Sequence, residues 1–147
     1  MKKRNLFLII FLLVISLTAC SQSSAGNGNK GEGREIEDYT VKVMLNEKLM
    51  KSYTIEDINA MDKKTMEAEG KTEEGPSVLD VLKDSGINDF SNITFVGAWR
   101  TEADLSREQV DEETLLDITN HGTVKLATHA ISKKDWVKDI IKIVVEE

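Results

Sequence analysis

The 147-residue chain contains one cysteine, Cys20, one proline and two histidines, His121 and His129. A lone cysteine near the N-terminus excludes an internal disulfide and thiolate catalysis within a folded domain. The two histidines lie eight residues apart and give no close zinc-binding spacing. The sequence also lacks a Gly-x-Ser-x-Gly pattern and a glycine-rich phosphate loop after a strand. We therefore expect no catalytic residue and no metal ligand.

The acidic residues occur in clusters that lack the spacing of a calcium-binding EF-hand loop. Their default interpretation is therefore that of solvated acidic loops. The clusters are Glu67/Glu69, Glu73/Glu74, Asp111–Glu113 and Glu146/Glu147.

The first twenty residues have the three regions of a secretory signal peptide. Basic residues at positions 2–4 precede an apolar run, and Leu17-Thr18-Ala19-Cys20 follows it. This order predicts a signal peptide over residues 1–19. The strictly apolar stretch, Leu6–Ile15, is only ten residues long, whereas a membrane-spanning helix needs about 20.

The last four of these residues resemble the lipobox of bacterial lipoproteins. That resemblance implies cleavage before Cys20 and a diacylglyceryl group, with its fatty-acid chains, on the cysteine. Two acyl chains anchor a protein stably, whereas one holds it only marginally. We therefore expect the mature protein on the extracytoplasmic side of the cell membrane, anchored through lipid on Cys20.

The segment after the cysteine predicts a flexible tether. Gly, Ser and Asn dominate residues 20–34, and no large apolar side chain occurs there. Such a composition buries too little surface to offset the entropy of ordering. The remaining residues, 35–147, are enough for one domain of ordinary size.

Removal of residues 1–19 makes the chain strongly acidic. The signal holds three basic residues and no acidic one, so 16 Lys and Arg remain against 26 Asp and Glu, a formal net charge of −10. A domain of this charge repels the phosphate backbone of nucleic acids. We therefore expect no nucleic-acid partner.

Hydrophobic patterns predict strands and short helices in the domain. The clearest helix runs from Val78 to Ser85, because Ser77 suits its N-cap and Gly86 suits a left-handed residue after its end. Thr54 is the expected cap of an earlier short helix. Strands are predicted over 39–45, 48–53, 66–68, 93–96, 114–118, 123–128 and 140–145, and further helices over 105–110 and 133–139. This order predicts an α+β fold with a mixed β-sheet and short helices.

Four segments share their order and spacing with a known family: Tyr53–Ile58, Glu74–Ile87, Ile93–Gly97 and Trp136–Ile143. The second resembles the G-V-x-L-x-D-L-L-x-x-A-G-V helix of the sulfite-oxidase-type molybdopterin-binding domain. The other three resemble the helix before it, the strand after it and the closing W-V-K-x-I-x-x-I segment. The resemblance covers most of residues 40–145 and implies that family's fold.

The chain departs from that family at the cofactor site. The family's molybdenum is ligated by a cysteine, and the matching region here, Thr65–Glu69, contains none. The family's basic phosphate-binding residues have no recognisable counterparts, and Gly97-Ala98-Trp99 replaces its Asp-Gly-Tyr. These departures imply a shortened relative, for which we expect no cofactor, with molybdopterin as the alternative.

Trp99 and Arg100 are the candidate binding residues. They follow a predicted strand and a glycine, where the resembled family places residues at the rim of its cofactor site, and both residue types are enriched in binding hot spots. The alternative is that Trp99 packs into the core and leaves Arg100 solvated, since tryptophan is commonly half-buried. Trp136 is expected to anchor the last helix onto the sheet.

Three functional hypotheses follow. The first is a non-catalytic, lipid-anchored module that binds an unidentified protein or small molecule. The second, implied by the resemblance, is a molybdopterin-dependent oxidoreductase-like or electron-transfer accessory protein. The third is an envelope lipoprotein that only supports a larger complex.

Overall fold

A computed structural model describes residues 38–147 of the chain. The predicted signal peptide, Cys20, the tether and the domain boundary at residue 35 lie outside the described residues. Within 38–147, no helix is long and apolar enough to cross a membrane.

The described chain is mostly β-structure with short helices. Its strands are β1 Val41–Leu45, β2 Lys48–Tyr53, β3 Lys64–Ala68, β4 Lys71–Gly75, β5 Asn92–Gly97, β6 Glu102–Ser106, β7 Leu115–Ile118, β8 Val124–Ala127 and β9 Ile140–Glu146. Its α-helices are α1 Ile55–Asn59 and α2 Val78–Asp84, and 3₁₀ turns cover Arg107–Gln109 and Lys133–Asp135.

Five strands form a mixed sheet in the order β2-β1-β9-β5-β6. β1 and β9 run parallel, and the other neighbours run antiparallel. The hairpins β3–β4 and β7–β8 form separate two-stranded ladders. The expectation of a mixed sheet with short helices is confirmed.

Alternating residues of the large sheet face a core that the two helices cover. Strand residues of this core include Val41, Val43, Ile93, Phe95, Ile143 and Val145. Ile58 of α1 and Val78, Val81 and Leu82 of α2 belong to the same buried cluster. A smaller cluster lies on the hairpins and contains Met66, Ala68, Leu115, Ala127 and Trp136.

The predicted helix caps form as expected. The backbone N–H of Asp57 donates to Thr54 Oγ1 over 3.2 Å, and the Thr54 N–H donates to Asp57 Oδ2 over 2.9 Å. Ser77 Oγ accepts from the N–H of Leu79 over 3.2 Å at the start of α2. Gly86 takes a φ of 83° just after α2, a conformation that costs glycine little.

Two predicted helices are wrong. Leu105 lies in β6, where it pairs with Ile93 and is buried, so only a 3₁₀ turn follows it. The predicted helix over 133–139 shrinks to Lys133–Asp135, because the carbonyl of Val137 accepts from the N–H of Leu126 over 2.9 Å. In both places sheet-like pairing overrides a weak local helical pattern. Trp136 therefore packs on the two hairpins and not on the five-stranded sheet.

Candidate functional site

One end of the large sheet gathers the candidate binding residues. β9 begins beside the start of its parallel neighbour β1 and beside the end of its antiparallel neighbour β5. The turn Ala98–Thr101, which contains Trp99 and Arg100, leaves β5 at this end. The described chain also begins there, at Asp38.

The Trp99 side chain is half exposed and is held in place by a neighbouring carboxylate. Its exposed fraction is 50%, so the alternative that it packs into the core is wrong. The indole Nε1 donates to Asp139 Oδ2 over 3.1 Å, and Asp139 Oδ1 accepts from Thr123 Oγ1 over 2.7 Å. The carbonyl of Asp139 accepts from the N–H of Ala98 over 2.9 Å. The indole is therefore positioned by two segments that are distant in sequence.

Arg100 is exposed and has a φ of 61°. The left-handed region is costly for a residue with a β-carbon and is uncommon outside glycine and asparagine or aspartate. Gly97 makes the turn compact, since a β-carbon there would lie 2.3 Å from Thr101 Oγ1 and 2.6 Å from the carbonyl oxygen of Lys138. The turn therefore fits against the segment that leads into β9.

Tyr39 ties the start of the described chain to this end of the sheet. Its hydroxyl accepts from the N–H of Val124 over 2.9 Å and donates to the carbonyl of Ile140. Burial raises the pKa of Tyr39 to about 12. The hydroxyl therefore stays protonated near neutral pH and links the chain start to β8 and β9.

A second group of polar residues lies beneath the ring of Trp136. Glu73 Oε2 accepts from Lys125 Nζ over 2.6 Å, and Glu73 Oε1 lies 2.9 Å from Lys133 Nζ. Lys125 Nζ also lies 3.1 Å from Asp117 Oδ2. We call Glu73, Asp117, Lys125 and Lys133 the ionic cluster.

Burial and pairing set the protonation of the ionic cluster. Burial acts to raise the pKa of Glu73, but hydrogen bonds with Lys125, Asp117 and Lys133 outweigh it and hold that pKa at about 2. Burial and the neighbouring Glu73 raise the pKa of Asp117. Burial acts to lower the pKa of Lys125, but its two carboxylate partners raise it. The ion pairs thus offset the desolvation of Glu73, whose side chain is 6% exposed.

The interpretation of the acidic residues as solvated loops is wrong for Glu73. Glu73 is buried and paired, whereas the other members of the predicted acidic clusters are exposed. β4 had no clear strand pattern, so its inward face was missed. In the structure, buried Glu73 and Gly75 alternate with exposed Thr72 and Glu74, but the polar sequence of β4 shows no such alternation. Asp139 was also missed, because nothing local marks it as the partner of Trp99.

Neither histidine is among the residues of the Trp99 turn or of the ionic cluster. His121 is exposed in the β7–β8 turn. His129 is exposed, and its Nε2 lies 3.5 Å from Glu113 Oε2. Over residues 38–147, no three His, Cys, Asp or Glu side chains form a group that could hold a metal ion.

The region that matches the family's metal-ligating cysteine does not fit a molybdenum centre. Thr65–Glu69 covers most of β3, in which Met66 and Ala68 are buried in the smaller apolar cluster. The outward residues Thr65 and Glu67 are exposed. A thioether packed among apolar side chains does not supply the anionic thiolate that soft metal ligation requires.

Comparison with known proteins gives a likeness of fold. The chain matches no protein-family model and no curated protein. Among solved structures, it is similar to the sulfane dehydrogenase SoxCD from Paracoccus pantotrophus, with a TM-score of 0.61 and 17% sequence identity. The match covers 76% of this chain and 40% of the other, so the chain spans less than half the length of that relative. It supports the predicted resemblance at the level of the fold.

Proposed function

We propose that this protein is a lipid-anchored, extracytoplasmic, non-catalytic binding module whose binding surface is the Trp99–Arg100 turn. The main support is the indole of Trp99, which is half exposed and is held by a hydrogen bond to Asp139. It lies on a turn in which Arg100 has a left-handed backbone conformation. A positioned aromatic residue loses little conformational entropy when it binds. Backbone strain of this kind concentrates at functional sites.

The fold in this proposal is a shortened variant of the sulfite-oxidase-type molybdopterin-binding domain. The four matching sequence segments and the likeness to SoxCD support it. At 17% identity that likeness carries the fold and no activity. The buried Met66 in the cysteine region argues against a role in molybdopterin chemistry, so oxidoreductase function is not the favoured candidate.

Two substitutions test the anchoring. The full chain is expressed in a bacterium that processes lipoproteins and is labelled with radioactive palmitate. We expect label and membrane association for the wild-type chain and neither for Cys20→Ser. Cys20→Ser that remains labelled and membrane-bound would contradict a lipid anchor on this residue.

The binding surface is tested in the same cells by photo-crosslinking. A photoreactive amino acid replaces Arg100 in one variant and Leu49 in another. Leu49 is the matched control, because it is exposed to the same fraction as Trp99, 50%, but pairs with Met44 at the opposite end of β1. We expect adducts from position 100 and not from position 49. Equal adducts from both positions, or none from position 100, would overturn the assigned surface.

A further inference from the structure

The geometry points to a lipid bilayer surface as the partner of the Trp99 turn: Trp99 inserts into the headgroup region of the membrane to which Cys20 is anchored. This inference rests on the proposed function, and it names what occupies the same surface. It also fixes how the domain faces the membrane.

The first observation is where the chain enters the domain. Residue 38 leads directly into β1, and the Trp99 turn leaves β5, with β9 lying between these two strands. Neighbouring strands lie about 4.8 Å apart, so the chain start and the turn are separated by about 10 Å. The anchored segment and the exposed indole therefore share one end of the domain.

The second observation is the character of the exposed side chain. Tryptophan favours the membrane–water interface, because its ring is apolar while its N–H remains able to hydrogen-bond. Trp99 meets this description, since half of its surface is exposed while its Nε1 lies 3.1 Å from Asp139 Oδ2. The other large exposed apolar side chain of residues 38–147 is Leu49, at the far end of the sheet.

Charge alone does not bring this end to a membrane. The exposed cations Arg100 and Lys138 lie at the same end as the carboxylates of Asp38, Glu56, Glu102 and Asp139, so this end has no excess of positive charge. The mature chain as a whole is acidic, so it is repelled by anionic lipid. The indole therefore carries the contact, and a zwitterionic bilayer is the appropriate probe.

The predicted tether would raise the occupancy of a weak contact. Fourteen residues of the predicted tether follow Cys20, and a flexible chain of that length would have an r.m.s. reach of about 20 Å. A short flexible linker gives an effective concentration on the order of 1 mM. A tryptophan contact that is too weak to hold a free domain at a membrane gains occupancy when the domain is already held at the surface.

Quenching by brominated lipid tests the inference. The lipidated full chain is reconstituted into phosphatidylcholine vesicles with bromine at shallow acyl positions, and emission is compared with unbrominated vesicles. We expect a loss of emission for the wild-type chain that is absent in Trp99→Phe, whose remaining Trp136 is buried. The substitution is conservative at an exposed site, so the variant folds.

A second variant tests the direction in which the domain faces. Leu49→Trp is introduced into the Trp99→Phe chain, which places an indole at an exposed position about 16 Å along the sheet from the Trp99 end. We expect no quenching of this indole. Equal quenching from both ends, or equal emission loss in wild type and Trp99→Phe, would overturn the inference.

Failure of the inference differs from failure of the proposed function. A chain that floats with the vesicles but keeps its Trp99 emission is anchored without the contact, which overturns only the inference. If the photoreactive residue at position 100 then crosslinks to a protein, that protein replaces lipid as the partner. A chain that does not float, because Cys20 carries no lipid, overturns both.

Discussion

The two tryptophans of this protein lie in opposite environments although each has charged neighbours. Trp99 is 50% exposed and donates to the carboxylate of Asp139. Trp136 is 7% exposed, donates to the carbonyl of Thr128 over 2.9 Å, and has Lys133 Nζ 5.2 Å from its ring centroid. The same residue type is thus an exposed side chain at position 99 and the centre of a small core at position 136.

The two environments differ in whether the neighbouring charged groups depend on burial by the indole ring. Beneath Trp136, the ring shields ion pairs of the ionic cluster from water, and Glu73 is too buried to remain charged without its lysines. Beside Trp99, Asp139 has Thr123 as a further partner, so the carboxylate does not depend on burial of the indole. Trp136 therefore supports stability, whereas half of the Trp99 side chain is exposed for binding.

Truncation of each tryptophan gives the largest contrast. Trp136→Ala is expected to destabilise the domain by about 3–5 kcal/mol, because it leaves a cavity in the smaller core. Trp99→Ala is expected to cost less, about 1 kcal/mol, since half of the side chain is already exposed. Urea unfolding of the two variants measures both values, and similar losses would show that the two environments are not distinct.

Removal of Glu73 tests the ionic cluster directly. Glu73→Ala leaves Lys125 and Lys133 without their shared carboxylate, and loss of one partner from a buried ion pair costs about 3–5 kcal/mol. We expect the lower end, because the two lysine side chains keep 21% and 24% exposure. Glu74→Ala is the control, as its side chain is 57% exposed, and surface substitutions cost within about 0.5 kcal/mol. Equal stabilities of the two variants would contradict a structural role for the cluster.

Low pH is expected to remove the contribution of Glu73 to the free energy of unfolding. Its pKa is lowered from 4.5 to about 2 in the folded protein, so the stabilisation is fully present above the unfolded pKa and is lost as pH falls towards 2. Asp117, with a raised pKa, contributes in the opposite direction. We expect the stability difference between wild type and Glu73→Gln to shrink from pH 5 towards pH 2. A difference that stays constant over this range would refute the ion pairing.

Asp139 offers a smaller, local test at the exposed tryptophan. Asp139→Ala removes acceptors for Trp99 and Thr123 and places alanine at a φ of 51°, for an expected loss of about 1–2 kcal/mol. Asp139→Asn keeps one side-chain oxygen and tolerates that backbone conformation, so it should cost less. Time-resolved anisotropy of Trp99 should show a more mobile indole in the alanine variant. Unchanged mobility would mean that Asp139 does not position the ring.

The sequence predicted local secondary structure better than it predicted contacts between residues that are distant in sequence. Caps and periodicity located α2 and β9, because those signals are short-range. The strand role of Leu105 was missed, since it depends on pairing with Ile93 across the sheet. The contact that positions Trp99 and the burial of Glu73 were missed for the same reason. Their partners, Asp139 and Lys125, are brought close only by the fold.

Substitution of Arg100 is expected to change stability the least and to separate effects on stability from effects on binding most clearly. Its φ of 61° is strained for arginine, and glycine adopts it without penalty. We therefore expect Arg100→Gly to leave stability unchanged or to raise it by up to about 1 kcal/mol, while it weakens quenching of Trp99 by brominated lipid through a looser turn.

Arg100→Ala is the control, because it keeps the backbone strain but removes the charge. If this control retains wild-type quenching and Arg100→Gly does not, the backbone of the turn, and not the guanidinium, positions the indole. A clear loss of stability in Arg100→Gly would show instead that the arginine side chain holds the turn together.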